Sequence, residues 1–232
     1  MNRDNRSQRA DRLVGAPLLS ESVIDLYQRY AAQWDAARRG NDWNDRVWIE
    51  AFAAAVTPGS TVLDLGCGGG EPIARFLVEH GLHVTGVDAS QHMIDLARAR
   101  LPHEEWIVGD MRRLALGRQF DGILAWDSYF HLSRNAQRAM FATFNDHARE
   151  GTILLFNTGP QDGEAASGFT FPGEQLYHAS LAPAEYRVLL DDIGFEVISH
   201  AANDARSGGR TAWLCRHAVP TLDHTHGIRS DR

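Results

Sequence analysis

The residues best placed for chemistry begin with Val62-Leu63-Asp64-Leu65-Gly66-Cys67-Gly68-Gly69-Gly70-Glu71-Pro72, an apolar run that ends in an acid and turns into glycines. Glycine has no Cβ, so such a loop allows close approach of backbone to a ligand. Two more acids close later apolar runs: Asp88 ends His83-Val84-Thr85-Gly86-Val87-Asp88, and Asp110 follows Glu105-Trp106-Ile107-Val108-Gly109. Set against the dinucleotide fingerprint G-x-G-x-x-G, the loop reads Gly66-Cys67-Gly68-Gly69-Gly70-Glu71, with Glu71 in place of the third glycine. An acid at a helix N-terminus repels the pyrophosphate that would sit there, so the loop suits a ligand that presents a cation better than NAD or FAD. Cys67 has no basic neighbour in sequence and reads as a small loop filler rather than a nucleophile.

A second group follows the apolar run Phe120-Asp121-Gly122-Ile123-Leu124-Ala125-Trp126. It is Asp127-Ser128-Tyr129-Phe130-His131, at the carboxyl edge where open α/β sheets bind ligands. Asp127, Tyr129 and His131 are candidate substrate contacts there. An imidazole with an ordinary pKa of about 6.5 makes His131 a candidate general base, the alternative being a helix-entry residue bonded to backbone. Tyr177 and His178, in the later segment Gln175-Leu176-Tyr177-His178, are weaker candidates for pocket walls.

These residues need elements to position them, and the chain alternates short apolar runs with amphipathic ones. Strands are expected at 61–65, 83–88, 105–110, 120–126 and 152–157. Helices are expected between them: from Glu71-Pro72 to Gly81, after a Ser90 cap, and from a Ser133 cap to Gly151. Two helices precede the first strand, one from Ser20 or Ser22 to Gly40 and one from about Asp42 to Val56. Residues 158–180 read as a long Gly-rich connection, a length uncommon unless it serves a site. A helix Ala182–Gly194 and a hairpin of Phe195–Ala201 with Thr211–His217 close the chain. The fold class implied is a doubly wound α/β sheet, with residues 59–217 as its domain, 20–58 as an N-terminal helical lid, and 1–19 and 218–232 as flexible tails.

Composition narrows the chemistry. The 232 residues carry a net charge of −7, which provides no basic field for a nucleic acid. All 23 basic residues are arginine. A lysine-free chain can build neither a Walker phosphate loop nor a Schiff base. Two cysteines do not make a disulfide framework, no apolar run reaches membrane-spanning length, and the first twelve residues lack the apolar core of a secretory signal. A cytoplasmic protein with no membrane or nucleic-acid partner, no metal and a small-molecule substrate is therefore expected.

In order and spacing, residues 60–217 resemble the class I S-adenosylmethionine-dependent methyltransferases. Asp64-Leu65-Gly66-Cys67-Gly68-Gly69-Gly70 is similar to that family's first motif, Gly109-Asp110-Met111 to its third-strand end, and Phe120–Trp126 to its fourth-strand motif. The resemblance implies a Rossmann-like sheet of seven strands with the last antiparallel, and S-adenosylmethionine as cofactor. It implies cofactor contacts from Asp64, Gly66, Cys67 and Gly68, ribose binding by Asp88 with Ala89 and Ser90 beside it, and adenine contacts from Asp110 and Met111. Tyr30, Trp34 and Trp126 are candidate aromatic walls, because a ring face beside a sulfonium gains roughly 0.5–2 kcal/mol, although all three also suit a core. The activity implied is in-line methyl transfer to an O, N or S nucleophile; a non-catalytic sensor of the same cofactor is the alternative.

Overall fold

A computed structural model describes residues 4–40, 43–167 and 173–218, with backbone alone over 4–19. The chain opens with helices α1 (Asp4–Gly40) and α2 (Arg46–Ala55). Then come β1 (Thr61–Leu65), α3 (Ile73–Glu79), β2 (His83–Asp88), α4 (Gln91–Arg100), β3 (Glu105–Val108), β4 (Phe120–Ala125), α5 (Arg134–His147) and β5 (Ala148–Thr158). After β6 (Gly163–Ser167) and β7 (Leu176–Ser180) the chain ends in α6 (Pro183–Asp192), β8 (Phe195–Asp204) and β9 (Arg210–His217). Among the described residues, seven strands form one sheet in the order β3-β2-β1-β4-β5-β9-β8. β1 to β5 pair in parallel, while β9 runs antiparallel to both β5 and β8. This is the expected Rossmann-like arrangement with the last strand reversed.

Successive side chains of a strand point to opposite faces, so each buried strand feeds two cores. Val62, Leu124, Ile153 and Leu155 pack with α2, α3 and α4 on one face. Leu63, Leu65, Ile123, Leu154 and Phe156 pack with α5 and α6 on the other. A smaller cluster joins Val23 and Leu26 of α1 to Leu176, Tyr177 and Ala179 of β7, with Tyr27, Tyr30 and Trp34 against it. The spacing 23, 26–27, 30 and 34 gives that helix one apolar stripe. Helix starts follow local chemistry: Ser90 Oγ accepts from Met93 N at 3.3 Å, and Ser133 Oγ accepts from Ala136 N at 3.3 Å.

Three expectations are corrected. Helix α1 begins at Asp4, well before Ser20, so the N-terminal segment from Asp4 is helical rather than a loose tail. Helix α5 stops at His147, short of Gly151, because the His147 ring bonds Thr143 O at 2.8 Å and Leu116 N at 3.1 Å while Ala148 already pairs with Phe120. The segment 158–180 is not wholly irregular: β6 and β7 form an antiparallel hairpin in which Ala165 faces His178. Residues 168–172 and the expected tail from 219 onward lie outside the described residues.

The sheet order reverses between β1 and β4, which opens a crevice at their carboxyl ends. Beside it, Gly86 of β2 lets the Trp106 ring lie flat on the strand. A Cβ there would run into that ring and come within 2.8 Å of Cys67 Sγ. Trp106 is held against swinging aside by its Nε1, which donates to Leu101 O at 2.9 Å. Overpacking of this kind costs roughly 1–3 kcal/mol, so Gly86→Ala should lower Tm by roughly 2–12 °C in a thermal melt, whereas an unchanged Tm would show that the ring relaxes freely.

Candidate active site

The loop after β1 is shaped by what lies above and below it. Gly66 N and Cys67 N donate to Val87 O at 2.7 and 3.1 Å, tying the loop to β2. Gly66 has φ +80°, and a Cβ on it would overlap Ser128, whose Oγ donates to Leu65 O at 2.6 Å. Only glycine meets both demands. Asp88 then closes the loop: its Oδ2 accepts from Gly68 N at 3.0 Å and its Oδ1 from Ser90 N at 2.8 Å. A carboxylate has about four lone-pair sites, so two remain for a ligand. Gly66, Gly68, Asp88, Ala89, Ser90 and Asp110 line a narrow cavity of about 110 Å³, along with Met111, Trp34 and Asp127.

The two acids at the strand ends are electrostatically unsettled. Asp64 is 3% exposed, and its carboxylate accepts no hydrogen bond and makes no ion pair among the described residues. Burial, with Asp88 close by, pushes its pKa up to about 7. Asp88 is also raised by burial, against the pull of its two amide donors. Burial and the same two acids raise the Cys67 thiol, which keeps it protonated and fits a filler. A buried carboxylate lacking a partner is costly, and a cation beside it would remove the cost. Asp110 differs: although burial acts to raise its pKa, Arg112 grips both oxygens and holds it below the usual range.

An arginine network seats α1 across the loop. Arg100 donates to Asp35 at 2.5 and 2.6 Å and to Gly69 O at 2.8 Å, while Arg39 reaches Asp35 at 3.1 Å. Glu71 pairs with Arg75, and with Arg39 and Arg100 at 3.7 Å each. The picture of Glu71 as a bare charge repelling a pyrophosphate is therefore corrected, because three guanidiniums surround it.

A wider cavity of about 530 Å³ adjoins the first, and Tyr27, Trp34, Asp127 and His131 line both. Asp127 adopts φ +51° and is held by Arg210 at 2.8 and 2.7 Å and by Asn157 Nδ2 at 2.8 Å. His131 is buried. A carbonyl only accepts, so its Nδ1, 2.9 Å from Tyr177 O, carries the proton, and Nε2 accepts from the Tyr27 hydroxyl at 3.0 Å. Burial first, then His178, pushes the His131 pKa down to about 4. The expectation of an accessible imidazole base of ordinary pKa is thus corrected: both ring nitrogens are committed.

The remaining candidates separate by position. His178 lines the wide cavity and stacks on Phe130 at 5.2 Å. Tyr129 is corrected as a substrate contact: fully buried among Phe144, Phe156 and Tyr186, it spends its hydroxyl on Gln137 O at 3.0 Å. The Tyr177 ring is likewise packed under α1, so its contribution is the backbone carbonyl that orients His131. Trp126 is core, donating to the buried Asp45 at 2.6 Å, and touches only a small space behind the loop with Cys67. Tyr30 lines neither cavity. Tyr27 escaped the sequence reading, although its separation of seven residues from Trp34 places the two on one helix face, their rings 5.5 Å apart.

Comparison with known proteins bears on this geometry. Residues 62–151 match the family described as methyltransferase domain. The chain is 36% identical over 153 residues to the demethylmenaquinone methyltransferase of Thermotoga maritima, covering 63% of this chain and 66% of that protein. It is 38% identical over 99 residues to the magnesium-protoporphyrin O-methyltransferase of Rhodobacter capsulatus, covering 40% of this chain and 43% of that protein. The matches thus span between about two fifths and two thirds of these relatives' lengths. Among solved structures, the magnesium protoporphyrin IX methyltransferase of Synechocystis PCC 6803 with bound SAH has the same fold, with a TM-score of 0.66 and 19% identity over 86% of this chain and 99% of that one. Residues 62–151 therefore form a methyltransferase domain, and the chain has the fold of S-adenosylmethionine-dependent methyltransferases.

Proposed function

We propose that this protein binds S-adenosylmethionine in the narrow cavity and transfers its methyl group to a small-molecule O, N or S nucleophile held in the wider one. The observation that carries this reading is the glycine loop closed onto Asp88, whose carboxylate lines the narrow cavity with acceptor sites to spare, while the buried Asp64 stands behind the loop. When bound, S-adenosylmethionine supplies an electrophilic methyl on a sulfonium that leaves as a neutral thioether. Asp64 faces the ligand's ammonium, Asp88 accepts from ribose hydroxyls, and Gly109 to Met111 border the adenine. Each charge-assisted hydrogen bond of this kind contributes roughly 1.5–3 kcal/mol.

The chain's own part in catalysis is placement. Tyr27, Trp34, Asp127 and His131 stand where the two cavities meet, so an acceptor in the wider space would meet a methyl donor held in the narrow one there. Alignment of this sort is worth about 7–11 kcal/mol in model reactions, which leaves no need for a covalent intermediate. The two curated relatives described above are named for small molecules, in keeping with an acceptor of that size.

S-adenosylmethionine and S-adenosylhomocysteine should raise Tm while NAD(H) should not, since a ligand of the native state stabilises by mass action. Asp88→Ala should weaken cofactor binding roughly ten- to hundred-fold by calorimetry; unchanged affinity would remove Asp88 from the ribose site.

Asp64 makes a separate pH prediction. Its folded pKa lies above the unfolded value of about 3.9, so the free protein loses stability as pH rises from about 4 through about 7. Placing an ammonium beside it ionises it. At pH 6, cofactor binding should therefore release close to one proton, measured by calorimetry in buffers of different ionisation enthalpy. Asp64→Asn should abolish the release. Binding without proton release in the wild type would show that Asp64 does not meet the ammonium.

A further inference from the structure

The wide cavity has a charge pattern that methyl transfer as such does not require. Asp127, Asp162 and Glu164 line it, against a single arginine, Arg210. Arg210 is already engaged at all three nitrogens: Nε and Nη2 donate to Asp127 at 2.8 and 2.7 Å, and Nη1 donates to Asn44 Oδ1 at 3.1 Å and to Ser207 O at 2.7 Å. Neither histidine in the wall makes up the deficit, because burial pushes the His131 pKa down to about 4 and lowers that of His178. Asp162 is balanced by Arg134 at 2.5 Å. Glu164, exposed on β6, is in no ion pair among the described residues.

We propose, resting on the methyltransferase reading above, that the acceptor is an amine-bearing small molecule whose ammonium pairs with Glu164 while an apolar ring or chain runs inward to the junction of the cavities. The inner end of the space suits such a body. Tyr27 and Trp34 of α1 stand at the junction, their rings 5.5 Å apart in a T-shaped contact, and Phe130, stacked on His178 at 5.2 Å, lines the wide cavity as well. An ammonium has no lone pair, so the nitrogen that Glu164 holds is not the atom methylated. The acceptor carries its nucleophile at the other end of its apolar body, beside the donor methyl.

This separation of charge and nucleophile follows from the donor. A sulfonium in the narrow cavity would put a positive charge near the junction, where it repels an ammonium, whereas Glu164 lines the wide cavity alone. Anions fare differently. A carboxylate or phosphate entering the wide cavity would meet Glu164 and find no uncommitted cation, and like charges repel more strongly in a partly dehydrated cleft than in water. The negative field reaches inward too: burial first and Asp127 second raise the Tyr27 pKa, and Asp127 also acts on both histidines in the sense that favours their charged forms. Selection by charge at Glu164 is thus added to selection by shape among the rings.

Phenethylamine, phenethyl alcohol and phenylacetate share one ring and differ in charge, and each can be titrated by calorimetry into the protein saturated with S-adenosylhomocysteine. The amine should bind roughly three- to ten-fold more tightly than the alcohol, the effect expected of one partly exposed ion pair, and the carboxylate should bind most weakly. Added salt should narrow the gap between amine and alcohol. Glu164→Gln should bring the amine to the affinity of the alcohol in protein that still binds S-adenosylhomocysteine. Phenylacetate binding as tightly as the amine, a preference for the amine that survives Glu164→Gln, or no preference among the three would overturn the proposal, as would failure of all three to bind at millimolar concentration. Affinity for S-adenosylhomocysteine in the same samples separates the two layers: wild-type protein that does not bind it refutes the methyltransferase reading, whereas binding it with the wrong order of probes refutes only the amine acceptor.

Discussion

Asp64 and Asp88 lie at the ends of neighbouring parallel strands, close enough that Asp88 disfavours the charge of Asp64, and the glycine loop joining the first to α3 has no side chain to neutralise either. Asp88 is partly satisfied by two backbone amides; Asp64 is not. Folding alone does not relieve this repulsion, because the parallel register of β1 and β2 sets the position of both acids. A cationic ligand bound there would relieve it. Much else in the molecule can be understood as holding that pair in place: Ser128 pressing on Gly66, Trp106 filling the space over Gly86, and the Asp35–Arg100 pair drawing α1 down onto the loop. Natural proteins tolerate local unfavourable electrostatics at functional sites, where the ligand completes the structure.

The arginine-only composition has a structural counterpart. Arg100 and Arg210 each make two-point contacts to a carboxylate while also reaching backbone carbonyls, Gly69 O and Ser207 O. A planar guanidinium can do this and an ammonium cannot. Arg100 fixes the narrow cavity's side of the cleft by joining α4, α1 and the glycine loop. Arg210 fixes the wide cavity's side by joining the start of β9 to Asp127 after β4. Both are partly buried, which makes loss of either partner more damaging than loss of a surface pair.

How far the molecule could be read from its sequence depended on the distance over which each feature is determined. β1 and β2 follow from short apolar runs bounded by glycine, and their limits matched at both ends. The Ser90 and Ser133 caps are local and were legible for the same reason. The β6–β7 hairpin was not, because Gly-Glu-Ala-Ala-Ser lacks β-branched residues and is a strand only by pairing with β7. The neutralisation of Glu71 depends on Arg39 and Arg100, which only the fold brings together. His131 was recognisable as chemically interesting, but its tautomer depends on Tyr27, 104 residues away, and on the Tyr177 carbonyl, 46 away. Sequence spacing suggested which residues stand near the cleft and was silent on which of them face into it, as the burial of Tyr129 illustrates.

The central claim is that the strand-end acids form the site of a cationic nucleoside ligand, and a crystal structure of the protein with S-adenosylhomocysteine tests it most directly. The account predicts the ligand's ammonium within hydrogen-bonding distance of Asp64, its ribose hydroxyls on Asp88, and its sulfur turned toward Tyr27 at the junction of the two cavities. A ligand bound elsewhere, or one in the narrow cavity with its ammonium directed away from Asp64, would contradict it.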